Sequence, residues 1–70
     1  MESFKRGDRV VWNFRGHEVE GTVRRKLTAR TEIDGRAVAA TREDPRYVVR
    51  SARSGKEAIR RAESLRPRAS

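Results

Sequence analysis

Arginine supplies most of the side chains in this sequence that could do chemistry, and its grouping narrows what that chemistry is. Arg24-Arg25-Lys26 with Arg30 form one cluster, and Arg60-Arg61 with Arg66 and Arg68 form another. Arg42, Arg46 and Arg50 recur between them. A guanidinium is planar, permanently charged and forked, so it grips paired phosphate or carboxylate oxygens. Eighteen basic against ten acidic residues give a formal net charge of +8. On so small a surface, that charge favours nucleic acid or another polyanion, or an acidic protein face. The expected phosphate-contacting set is Arg24, Arg25, Lys26, Arg30, Arg42, Arg46, Arg50, Arg60, Arg61 and Arg66. Such a set holds a backbone without reading its sequence, and its grip weakens steeply with salt. Only Lys5, Lys26 and Lys56 are lysine, a bias that genome composition produces as readily as selection for phosphate forks.

Other chemistries fail on inventory. His17 is the sole imidazole and cysteine is absent, so typical ligands assemble no zinc site and no disulfide forms. Ser51, Ser54 and Ser64 lack the base and orienting group that a nucleophile needs. No enzymatic activity, metal or cofactor is expected. Glu18/Glu20 and Glu43/Asp44 read as solvated carboxylates beside arginines. The glycines stand singly at turns, so no phosphate-cradling loop is present. Of four aromatics, Trp12 and Tyr47 belong to the core, leaving Phe4 and Phe14 exposed for base stacking. That is too few for strong single-strand specificity. A partial cation cage from Phe14, Tyr47 and Asp44 is opposed by the positive surface.

The elements that must position these groups follow from alternation and turns. Arg9 to Phe14 reads as a strand with Val10, Trp12 and Phe14 on one face. Arg15-Gly16 then makes a two-residue turn into a long strand, His17 to Leu27, whose alternation only Arg25 breaks. That turn sets Phe14 against His17, Trp12 against Val19 and Val10 against Gly21. Gly21 leaves room for the Trp12 indole and lets the strand bend towards a closed barrel. Thr31 to Ala40 forms a thinly anchored hairpin around Asp34-Gly35. A polar loop ends at Pro45, and Arg46 to Ser51 is a strand with Tyr47 and Val49 facing inward.

The tail admits two readings. Ser54 and Glu57 resemble a capping box, with Ala58, Ala62 and Leu65 at helical spacing. Alternatively, Arg53-Ser54-Gly55 is a three-residue loop that sets Val49 against Ile59 and Tyr47 against Arg61. A short turn through Glu63-Ser64-Leu65 then precedes Pro67, which ends regular structure.

These spacings predict an all-β fold, a small five-stranded SH3-like barrel with a short terminal turn. Seventy residues make a single domain near the lower limit for folding unaided. It is expected over 7–67, between flexible ends at 1–6 and 68–70. The ordered set Gly7-Asp8-x-Val10-x-Trp12, Gly21-x-Val23, Glu32-Ile33-x-Gly35, Pro45-Arg46-Tyr47-x-Val49, Ser54-Gly55-Lys56 and Leu65 resembles the hypervirulence-associated Tudor-domain family of small bacterial and fungal proteins. The resemblance implies a Tudor-like barrel, favours a strand in the tail, and implies no catalysis, cofactor or metal. Arg60-Arg61-Ala62 departs from it where a proline is expected near position 62.

Apolar runs are too short to span a membrane and the N-terminus lacks a secretory pattern. A cytoplasmic monomer with no membrane partner is expected. The alternative function is a protein-interaction module that receives an acidic protein or peptide on a groove or strand edge. It would use Phe14 and an outward apolar pair, Val11 and Val48.

Overall fold

A computed structural model describes residues 4–68. Of the ends expected to be flexible, 1–6 and 68–70, residues 1–3 and 69–70 lie outside the described residues. Among the described residues the chain runs β1 (Arg9–Phe14), β2 (His17–Leu27), β3 (Thr31–Ile33), β4 (Arg36–Val38), β5 (Arg46–Ser51), β6 (Glu57–Arg61), a 3₁₀ turn (Ala62–Ser64) and β7 (Arg66–Pro67). Five strands form one antiparallel sheet in the order β6-β5-β2-β1-β7, and β3 pairs with β4 apart from it. The 3₁₀ turn joins the two edge strands, so the chain wraps the sheet into an SH3-like barrel. The tail is strand, not helix. β7 is an addition: Val10 pairs with Pro67 and Val11 with Arg66, and an edge strand tolerates a proline that donates no hydrogen bond.

The first hairpin has the expected register, with Val10 opposite Gly21, Trp12 opposite Val19 and Phe14 opposite His17. Arg15 and Gly16 both have positive φ, 51° and 82°, as a two-residue turn matching the strand twist requires. Asp34 and Gly35 repeat this geometry in the second hairpin.

Val10, Trp12, Val23, Tyr47, Val49 and Leu65 fill the core. Phe4 joins them at 5% exposure, which corrects its expected role as an exposed stacking residue. Its ring meets Tyr47 edge-on at 5.7 Å, and its N–H donates to the Tyr47 hydroxyl at 3.3 Å. Burial of a large ring outweighs a local sequence that looks like a polar terminus. Phe4→Ala should therefore cost about 3 kcal/mol, within the usual range for a buried phenylalanine. A chemical-denaturation midpoint unchanged by F4A would refute this packing.

The β5–β6 register differs from expectation by one residue. Val49 faces Ala58, Val48 faces Ile59, Tyr47 faces Arg60 and Arg46 faces Arg61. The connecting loop holds four residues, because the Ser51 N–H donates to the Lys56 carbonyl at 2.9 Å. The Ser51 hydroxyl also accepts from the Ser54 N–H. Gly55 keeps its left-handed conformation, φ 74°. A one-residue slip turns every side chain on the strand over, so Arg60 faces inward with Tyr47 and Arg61 faces outward.

Candidate functional site

A bulge in β2 shapes the charged surface. Val23 pairs with Val49 and Arg25 with Val48, leaving Arg24 as the extra residue. Alternation from the buried Val23 turns Arg24 outward, and pairing with Val48 turns Arg25 to the same side. Two consecutive arginines therefore stand on one face. Arg46 and Arg50 flank Val48 along β5, and Arg61 follows Ile59 on β6, so these three share that outward face. Arg46 pairs with Asp44 at 2.8 Å and Arg61 with Glu63 at 3.3 Å. Arg24, Arg25 and Arg50 are exposed and enter no ion pair among the described residues.

Beyond the bulge the alternation is reversed, which turns Lys26 to the inward side opposite Tyr47. Its ammonium lies 5.8 Å from the tyrosine ring centre. Lys26, Arg42, Arg61 and Arg66 line a groove of about 640 Å³ with Glu43, Asp44 and Glu63, above Pro45, Ala62 and Leu65. Arg66 bonds Glu18 at 3.0 Å and Arg68 bonds Glu20 at 3.2 Å, so the carboxylate pair of β2 is neutralised as its neighbours suggested. The groove is of mixed charge. Arg30 stands exposed in the link before β3. The ten expected arginines and lysine thus form no single stripe: five share the outward face, three more line the groove, and Arg30 and Arg60 stand elsewhere.

Arg60 has a different role from its neighbours. Its guanidinium carbon lies 5.9 Å from the centre of the Phe14 ring, and that of Arg15 lies 5.3 Å away. Phe14 is 47% exposed, the exposed large apolar side chain among the described residues. With Trp12, Val19, Ala58, Ser51, Ser54, Lys56, Glu57 and Arg60 it borders a second cleft of about 230 Å³. Arg15 and Lys56 were not among the expected site residues. Only the register of β6 brings Arg60 and the β5–β6 loop to the tip of the first hairpin.

Two expectations for the protein-interaction alternative are corrected. Val48 is buried, 4% exposed, and is no surface anchor. Val11, partly buried on β1, is not beside it either. Their partners on β2, Glu20 and Arg25, stand about 16 Å apart along the strand. The partial cage also fails, because Tyr47 is fully buried against Phe4 while Phe14 borders the other cleft. Among the described residues no group of three or more histidine, aspartate or glutamate side chains could hold a metal ion. No helix there is long and apolar enough to cross a membrane.

A family model described as the Tudor domain of hypervirulence-associated proteins matches residues 7–65. The chain belongs to that family. No curated protein and no solved structure matches it. Tudor domains are generally small, non-catalytic binding modules, and this Tudor domain presents an arginine face and two clefts on such a barrel. The matched region starts at Gly7, and the core residue Phe4 lies outside it.

Proposed function

We propose that this Tudor domain binds a polyanion, nucleic acid foremost, through the outward face of β2, β5 and β6. The observation that supports this reading is the bulge at Arg24. It sets Arg24 and Arg25 on the same side as Arg50, with no carboxylate paired to any of the three among the described residues. An unpaired, exposed guanidinium keeps its donors available for phosphate oxygens. Arg61 adds charge at the border, since its pair with Glu63 is exposed on both sides and holds it only weakly, whereas Arg46, mostly buried, is held by the carboxylate and the carbonyl of Asp44. Contacts of this kind position a backbone and carry no base readout.

A salt-titrated electrophoretic shift with mixed-sequence nucleic acid tests the proposal. Binding is expected at low ionic strength, with the logarithm of affinity falling linearly with the logarithm of salt. Absence of any shift at about 50 mM salt, where a phosphate-binding surface is strong, would remove the reading.

A further inference from the structure

The cleft beside Phe14 has a composition that the outward arginine face lacks. One wall is apolar, from Trp12, Val19 and Ala58, and its rim carries Lys56 and Arg60 against the single carboxylate of Glu57. Phe14 holds the Arg15 and Arg60 guanidinium groups near its ring, and Arg60 is further fixed by donating to the Ile59 carbonyl at 2.9 Å. Neither arginine enters an ion pair among the described residues.

A cationic ligand is repelled, because Arg15, Arg60 and Lys56 already place positive charge around the ring and the rim. A ligand that fits must bring an anion and a flat apolar group within a few ångströms of each other. A nucleotide carries both in one unit, and bases stack on aromatic rings and on guanidinium planes alike. The cleft, about 230 Å³, lies below the usual range for a small-molecule pocket, roughly 300 Å³ and upward, which suits one base. Arg50 of the arginine face also lies close to one end of the cleft. The Arg50 guanidinium lies 3.5 Å from where a side chain on Gly55 would begin, and Ser54 and Lys56 on either side of that glycine border the cleft.

We infer that this cleft receives one unpaired nucleotide, so that among polyanions the arginine face prefers single-stranded nucleic acid; the inference rests on the polyanion reading above. Duplex bases are stacked on one another and cannot enter, and a sulfated polysaccharide has no base to offer.

Fluorescence anisotropy at fixed low salt with a labelled single strand, a duplex of equal length and heparin separates the two. Phe14→Ala is expected to weaken single-strand binding about tenfold, the scale of one lost base stack. Duplex and heparin binding should stay within about twofold, and Phe14→Tyr should restore the single-strand affinity. Emission from Trp12, the sole tryptophan, should change with the single strand and not with heparin. Equal wild-type affinity for all three ligands, together with an indifferent F14A variant, would overturn the single-strand inference and leave the polyanion reading standing. Loss of all three affinities in F14A would overturn it as well. Failure of every ligand to bind the wild type would overturn both.

Discussion

Gly21→Ala should abolish the cooperative unfolding transition of this domain or lower its midpoint steeply. A β-carbon at position 21 would stand 2.1 Å from the Arg50 carbonyl oxygen and within 2.8 Å of two carbons of the Trp12 indole. The first obstacle is backbone of the strand paired with β2, and the second is a side chain 3% exposed in the core, so neither can yield cheaply. Overpacking ordinarily costs about 1–3 kcal/mol, and a clash with paired backbone lies at or beyond the upper end. A domain of this size holds only about 3.5–10 kcal/mol in total. Thermal unfolding followed by circular dichroism should show G21A without a transition, or with a midpoint lowered by at least about 12 °C. Pairing G21A with Trp12→Ala should give no rescue, because the carbonyl remains. A G21A midpoint within about 5 °C of wild type would contradict the close approach of β2 to β5.

Removing the three unpaired arginines of the outward face should have the largest effect on binding. Each phosphate contact contributes about 0.7–0.9 to the slope of log affinity against log salt. The R24A/R25A/R50A variant should therefore lose about 2–3 from that slope, and about two to three orders of magnitude in affinity near 50 mM salt. Total charge alone is controlled by R6A/R36A/R53A, which removes three other exposed arginines. If this control weakens binding as much as the first variant, the long-range field is responsible and the bulge has no special role. A slope unchanged in R24A/R25A/R50A would place the phosphates elsewhere.

The first hairpin was legible residue by residue. Arg15-Gly16 permits one turn, and only one pairing then brings Val10, Trp12 and Val19 to a common face. The family resemblance was legible for the same reason, since its motifs are turn glycines and inward residues. The disruption near Arg25 was visible as broken alternation, but its consequence was not. Whether a bulge turns Arg24, Arg25 or Lys26 outward depends on which residue the partner strand leaves unpaired, and that is settled by the ladder with β5. The β5–β6 register was misread because the expected three-residue loop and the four-residue loop that forms both suit Gly55, and both set an apolar residue against Val49. Hydrogen bonds made by Ser51 chose the longer loop, and that choice exchanged the roles of Arg60 and Arg61.

Period-two patterning and glycine turns, which act between near neighbours, were enough to determine strands over residues 9–51 with Trp12 and Tyr47 inside and a strongly basic exterior, while the tail stayed open between strand and helix. Tertiary structure alone decided that Phe4 enters the core, that Val48 is covered, and that Arg60 lies against Phe14. Each of these depends on contact between segments distant in the chain, where burial and strand register outweigh anything the local sequence prefers.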